Sequence, residues 1–428
     1  MADSSDGYRR RVLDDELDEL LSGLAALSID GPKGVGKTTT ATQRAATVFT
    51  LDRPEVAEIV AADPSRLAAA DPLVLIDEWQ RLPFVWDEVR RAVDADLAPG
   101  HFLLTGSASP DAPATHSEAG RIVPMRMRPL TLCERGVGEP TVSLAALCQG
   151  GRPKLSGTTD IRLEDYVEEM LASGLPGIRR ATGRARRQLL DGYLRLVIDR
   201  DFEEAGHQVR NPAALQRWLT AYAAATSSTA SYETIRDAAT SGEGDKPAKS
   251  TTLPYRDTLE RIWIVDPVPS WSTSASHMSR LVQSPKHHLA DPALAARLVG
   301  ATRDTLLSGK EVTPAVPRDG TFLGALFESL VTLSVRVFAQ ACECRVSHLR
   351  TRAGEHEVDL IVERDDGAVV AIEVKLDQSV GGSDVRHLAW LAEELGDRLL
   401  DSFVVTTGTE AYRRSDGIGV VPAALLGP

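Results

Sequence analysis

Short apolar runs and helically spaced apolar residues alternate along the first third of the chain. Between Arg9 and Leu24, the residues Val12, Leu13, Leu17, Leu20 and Leu21 recur at helical spacing with acids between them. That spacing predicts an amphipathic leader helix within residues 1–24, packed on the next domain. From Leu27 to Met127 the order is ALSID, a helix after Lys37, a further apolar run EIVAA, LVLID, a helix near Trp86, and HFLLTG. This is the βαβ rhythm of a parallel α/β sheet, and it sets a first domain over residues 25–145. Beyond Gly150 helices dominate, with Leu163–Ala172 and Ala185–Glu204 the clearest, and GVGEPT fits a linker at the boundary near 135–155. A middle region, 155–275, carries helices Ala213–Ala225 and Tyr232–Ala238, the polar loop SGEGDKPAKSTT, a third helix beginning near Thr252, and then RIWIVDPVPSW. Three helices followed by an extended segment fit a winged helix, and fit any small helical bundle equally well. The last region, 285–428, reads as a second, smaller α/β domain: helix GALFESLVTLSVRVFAQA, strands in CRVSHLR, EVDLIVER and AVVAIEVK, helix DVRHLAWLAEEL and strand DSFVVTT.

A length of 428 residues agrees with two or three domains, and 43% hydrophobic with 25% charged residues is ordinary for a folded globular chain. No run of 18 apolar residues occurs, and the N-terminus lacks the apolar core of a signal peptide, so the expected address is cytoplasmic, with no membrane partner. Cys133, Cys148, Cys342 and Cys344 fall in neither a Cys-x-x-Cys pair nor a zinc-finger spacing. They predict reduced thiols and no structural metal, with Cys342 and Cys344 at strand period on one packed face. The net charge of −13 means that phosphate backbones would need a local basic face. Arg179, Arg180, Arg184, Arg186, Arg187, Arg195, Arg200, Arg210 and Arg217 offer one; a solvated helical surface is the plainer reading.

Directly after ALSID comes GPKGVGKTTTA, which satisfies G-x-x-x-x-G-K-[ST] between a strand and a helix. Gly31, Gly34 and Gly36 let backbone N–H groups turn toward a triphosphate, with Pro32, Val35 and Thr39 completing the loop. Lys37 reaches the β and γ phosphates, the Thr38 hydroxyl ligates Mg²⁺, and Lys33 adds a second cation. In LVLIDEWQ, Asp77 is placed to hold Mg²⁺ and Glu78 to activate the attacking water. HFLLTGSAS ends in Thr105, Ser107 and Ser109, where a hydroxyl can sense the γ-phosphate; a simple turn explains them equally.

These blocks, followed by SEAGRIVPMRMRPL, SGLPGIRR, LRLVIDRDF, HHLADPALA, GALFESLV and GEHEVDLIVERDDGAVVAIEVKL, occur in one order over nearly the whole chain. In that order the chain resembles prokaryotic AAA-superfamily P-loop ATPases that carry a C-terminal domain of unknown function. The resemblance implies an ATP-binding AAA-like core, a helical and winged-helix middle, and a terminal module similar to the PD-(D/E)xK nuclease fold. It also aligns Arg121 with an arginine that can contact the γ-phosphate of the same or a neighbouring subunit, a structural ion pair being the other reading, and it keeps Gln80 while Trp79 replaces an apolar residue. Tyr193, Arg200 and Asp201 match a family pattern, on a helix expected to bury Leu194, Leu196, Val197 and Ile198.

EVDLIVERDDGAVVAIEVK offers a second cluster. Asp359 lies on one strand, and Glu373 and Lys375 project to one face of the next. Asp359 and Glu373 can share a divalent metal, Lys375 can orient or deprotonate a water, and Glu328 matches the further acid such nucleases place in their first helix. An inert half-exposed strand has the same pattern. His356 is a candidate phosphate contact or a plain surface residue. Three functions are compatible with these residues: a Mg²⁺-dependent ATPase coupling nucleotide state to the later modules, acting on DNA; a metal-dependent nuclease gated by ATP; or a non-enzymatic ATP-dependent switch that binds a partner protein. An AAA-like core admits a ring-shaped oligomer, which nothing in the sequence demands.

Overall fold

The computed structural model describes residues 7–95, 97–107, 120–204, 211–240, 249–272, 284–309, 320–351 and 354–428. They divide into two compact units. The first runs to Arg128 and takes in the later segment Leu259–Trp263; the second holds Pro129–Thr258 and Ile264–Pro428. The regions read from the sequence as 155–275 and 285–428 lie in that second unit, apart from Leu259–Trp263. Ser109 and Arg210 fall outside the described residues.

The first unit is built on β1 (Ala26–Asp30), β2 (Thr47–Thr50), β3 (Val74–Asp77), β4 (Phe102–Gly106) and β5 (Val123–Arg126) in the order β2-β3-β4-β1-β5. Every pairing is parallel. Strands β1, β3 and β4 are buried along their whole length, which is why they read as continuous apolar runs rather than alternating ones. The run EIVAA, read as a strand, lies instead in helix Pro54–Ala62, and the strand beside β3 is TVFT. Pro54 at the first helical position presets the helix there, and five apolar residues alone do not distinguish the two states. The leader helix forms over Leu13–Gly23 and buries Leu13 and Leu17.

The second unit centres on a seven-stranded sheet. Its strands are β7 (Ser270–Trp271), β8 (Arg345–Arg350), β9 (Glu357–Glu363), β10 (Val369–Val374), β11 (Leu399–Thr406), β12 (Tyr412–Arg413) and β13 (Gly419–Pro422), in the order β12-β13-β11-β10-β9-β8-β7. A short parallel pair joins β6 (Val142–Ser143) to β14 (Leu426–Gly427). Helix Arg386–Leu395 closes a core on the sheet in which Leu388, Leu391 and Leu395 meet Val358, Ile361, Val369, Ala371 and Val404. Helix Phe322–Ala341 passes the length and hydropathy test for a membrane span, but 67% of its apolar window is buried within the fold, as a core helix requires.

The middle helices are Pro212–Ala224, Tyr232–Ala238 and Lys249–Arg261. After the last, the chain extends and makes antiparallel bridges, Val265 to Leu289 and Val268 to Lys286, before Ser270–Trp271 joins the sheet edge beside β8. One extended segment thus fixes the register of residues 286–290 and leads into the large sheet. In the arginine-rich stretch, helix Gly183–Leu196 continues as a π-helical turn Val197–Asp201. Leu194, Val197 and Ile198 are buried as expected, while Leu196, two residues on from Leu194 and so on the opposite helical face, is exposed. Cys342 and Cys344 do not sit on a strand: Cys342 ends helix Phe322–Ala341, and Glu343, with φ of 55°, turns the chain into β8.

Candidate functional site: a phosphate-binding loop and a lysine-filled acidic pocket

Parallel pairing brings the C-terminal ends of β1, β3, β4 and β5 into line, with Asp30 opposite Gly106 and Arg126, and Asp77 opposite Thr105. The carboxyl edge of an open α/β sheet is where such folds take their ligands. The loop leaving β1 approaches the backbone so closely that a Cβ on Gly31 would lie 2.2 Å from the Met127 carbonyl oxygen. Gly36, at φ of 110°, sits in the left-handed region from which helix Lys37–Thr42 starts. Both positions need glycine, which explains the motif sterically.

Lys37 is buried, and its Nζ donates to the carbonyl oxygens of Gly31 (2.7 Å) and Pro32 (3.0 Å). Burial pushes its ammonium down to about 8, against the pull of Glu78 and Asp30. Burial likewise pushes the Asp30 carboxyl up to about 6, with Arg126 and Lys37 pulling it the other way. A desolvated cation held by carbonyl dipoles gains most from an anion placed on it, so the loop fits a phosphate chain. On the neighbouring strand, Asp77 Oδ1 accepts from the Thr38 hydroxyl at 2.7 Å and also from the Thr105 hydroxyl. Thr38 and Asp77 are the groups that would hold Mg²⁺, joined already by a hydrogen bond of the right chemistry. Thr105 supports Asp77 from the strand between the two motifs. Glu78 takes a left-handed φ of 55°, its carboxylate accepts from Gln80 Nε2, and that amide also reaches Ser107 Oγ at 3.2 Å. Such strain at a non-glycine residue marks a position the surroundings over-determine. Lys33, Gly34 and Val35 occupy the loop, and Thr38 and Thr39 are exposed at the helix start. Arg121 pairs with Asp94 at the end of helix Phe84–Asp94.

Sequence reasoning missed three supports. Arg11 from the leader donates to the Val35 carbonyl (3.0 Å) and the Arg128 carbonyl (2.7 Å), tying the leader to the loop itself. Asp14, wholly buried, accepts from Tyr8 at 2.7 Å and pairs with Arg44 at 2.8 Å. Arg126 lies 3.6 Å from the ring centre of Trp263, a residue remote in sequence. The arginine pair in PMRMRP was the available signal for the last, but nothing local announced its partner.

In the second unit, Glu328, Asp359, Glu373 and Lys375 do converge, around a cavity of about 850 Å³. At its centre stands Lys286, buried, its Nζ 2.8 Å from Glu328, 2.9 Å from Asp359 and 3.6 Å from Glu357. The second oxygen of Asp359 accepts from the Val374 amide at 2.9 Å, and Lys375 pairs with Glu373 at 3.0 Å. Although burial opposes it, the three carboxylates raise Lys286 well above its ordinary value, so it is a fixed positive charge. The Asp359 carboxyl is held down at about 2, burial working against it and Lys286 and Lys375 for it. Burial, reinforced by Asp359, pushes Glu328 up to about 8 and Glu373 well above the carboxylate range. Lys286 thus stands where Asp359 and Glu328 would grip a divalent ion. The set does not fit Mg²⁺ while Lys286 is seated. Arg350 and Arg386 line the same cavity, whereas His356 stacks on Trp390 at 3.9 Å. The antiparallel bridge from Val268 delivers Lys286 here; a lone lysine inside the buried run KHHLADPALA was its sequence signal.

Residues 25–135 match the AAA domain family, residues 163–305 a domain of unknown function (DUF8612), and residues 323–426 another (DUF4143). The first stretch is a P-loop ATPase domain of the AAA type. Uncharacterized proteins of Mycobacterium tuberculosis and Mycobacterium bovis are each 28% identical to the chain over 405 residues, spanning 92% of it and 79% of their own length. A solved Walker-type ATPase of Pyrococcus abyssi is 15% identical, with a TM-score of 0.41, covering 69% of this chain and 97% of that one.

The buried charges set two expected outcomes. Replacing Lys286→Met leaves the carboxylates without a cation and should cost about 3–5 kcal/mol in urea unfolding at neutral pH. Mn²⁺ should raise the melting temperature of the variant and leave that of the wild type unchanged; an equal rise in both would show that the ion finds a site beside the lysine. Asp30 holds its proton more tightly folded than unfolded, so its contribution is fully present below its ordinary 3.8 and is lost as pH rises through about 6. Asp30→Asn, neutral throughout, should therefore gain on the wild type as pH rises from about 5 to 7.5, by roughly 1.4 kcal/mol. Parallel stability curves would refute this.

Proposed function

We propose that the chain is a Mg²⁺-dependent ATP hydrolase whose nucleotide state is coupled to a DNA-holding C-terminal unit. The observation that carries this reading is the hydroxyl–carboxylate cluster Thr38–Asp77–Thr105 beside a buried Lys37 that donates to two loop carbonyls. Lys37 swings from those carbonyls to the β and γ phosphates, and the loop amides donate to the remaining phosphate oxygens. Thr38 and Asp77 would hold Mg²⁺, which supplies charge neutralisation across the phosphates. Glu78, positioned by Gln80, orients and deprotonates the attacking water. Arg121, partly exposed and paired with Asp94, is the candidate cation for a γ-phosphate.

Coupling has a physical route. Arg126 stands opposite Asp30 at the end of β1 and stacks on Trp263, after which the chain re-enters the second unit at Ile264. A phosphate arriving on Lys37 changes the charge balance that Asp30 and Arg126 share, and Trp263 feels the guanidinium move. For DNA, the supporting features are the exposed Arg184, Arg187 and Arg195, at helical spacing on Gly183–Leu196, and the cavity arginines Arg350 and Arg386. The convergent acids resemble a nuclease site, but with Lys286 seated we derive no cleavage step from them.

Glu78→Gln should retain ATP on a filter while hydrolysis falls by at least about a hundredfold; an unchanged rate would remove Glu78 from the mechanism. Incubating linear and single-stranded DNA with the protein, Mg²⁺ or Mn²⁺, with and without ATP, should give salt-sensitive retention and no cutting. Replacing Arg184, Arg187 and Arg195 by alanine should lower the salt slope by about 3. Cleavage that disappears in Asp359→Ala would instead establish the ATP-gated nuclease.

A further inference from the structure

Cys148, Cys342 and Cys344 come together in the second unit although Cys148 lies far earlier in the chain. Their three sulfur atoms all lie within 4.8 Å of one another. Two thiolates bound to one zinc-sized ion at about 2.3 Å stand roughly 4 Å apart, so the cluster is already near the spacing that an ion would impose. Cys148 closes the short helix Leu144–Cys148, and the other two flank the turn from helix Phe322–Ala341 into β8. Arg364 donates to the Cys148 carbonyl at 3.0 Å, and the Cys342 and Cys344 thiols donate to the carbonyls of Phe338 and Cys342 at 3.3 Å each.

We propose that Cys148, Cys342 and Cys344 form a three-thiolate site for one thiophilic d¹⁰ cation of the zinc class. Three soft sulfur ligands, with no oxygen donor among them, select such an ion over Mg²⁺ or Mn²⁺. Cys148 and Cys344 are buried and Cys342 is half-buried, so the fourth position opens toward Cys342 and takes water or an added thiol. The ion clips the Leu144–Cys148 helix to the end of the long core helix. It is independent of the phosphate loop and of the lysine-filled pocket.

The test uses the whole chain, reduced and stripped with chelator. Zn²⁺ titrated calorimetrically should bind one to one, and Cd²⁺ should give a sulfur-to-metal charge-transfer band. Cys148→Ser or Cys344→Ser should weaken binding by more than about a hundredfold, beyond what losing a merely supporting residue costs; Cys133→Ser, whose thiol lies by Thr131, should change nothing. Because buried serines can impair folding, alkylation of the wild type gives a second readout. Zn²⁺ should shield Cys148, Cys342 and Cys344 together and leave the labelling of Cys133 unaltered. No one-to-one uptake, uptake that survives in both serine variants, or shielding of Cys133 alone would overturn the site.

Discussion

A buried ammonium must meet negative charge or dipoles, and Lys37 and Lys286 meet that demand in opposite ways. Lys37 is held by two loop carbonyls and is depressed by burial, a state that a bound phosphate chain relieves. Lys286 is held by three carboxylates and raised, a state that needs nothing further. The same chemical group therefore marks one pocket as open for an anion and the other as internally neutralised. Much of the surrounding structure serves to keep these two cations in place: the glycines and the leader arginine around the first, the antiparallel bridges and the long core helix around the second.

Several motif blocks owe their residues to packing rather than chemistry. The aspartate of the HHLADPALA block, Asp291, is buried, caps helix Pro292–Leu298, and accepts from Ser173 and Gly174 of SGLPG at 2.7 Å each. Arg135, whose side chain is wholly covered, binds the Leu130 carbonyl and pairs with Glu169, which Arg179 grips from the other side. Arg179 is thereby withdrawn from the basic stretch, and Arg200 pairs with Glu204, so that the positive face open to solvent is narrower than the sequence count suggests.

The parallel sheet, the phosphate loop and the Asp77–Glu78 strand end were legible because each rests on local spacing: a continuous apolar run, a glycine pattern, a carboxylate at a fixed offset. Helices Leu163–Ala172 and Tyr232–Ala238 were placed to the residue by their periodicity. The strand in TVFT was hidden because four residues carry too little pattern. Lys286, Glu357, Trp263 and Cys148 were hidden for a different reason. Each acts through a partner distant along the chain, and no period or spacing encodes which distant segment the fold will bring near. The convergence of Glu328, Asp359, Glu373 and Lys375 was readable; what fills the space between them was not.

The first unit is not a continuous stretch of chain. It is finished by Leu259–Trp263, which arrives only after more than a hundred residues of the second unit have been laid down. During synthesis, when N-terminal portions fold first, the sheet and its phosphate loop emerge well before the ring that stacks on Arg126. The nascent ATPase unit is therefore incomplete until residue 263 has cleared the ribosome, and the segment that completes it is drawn from inside the other unit.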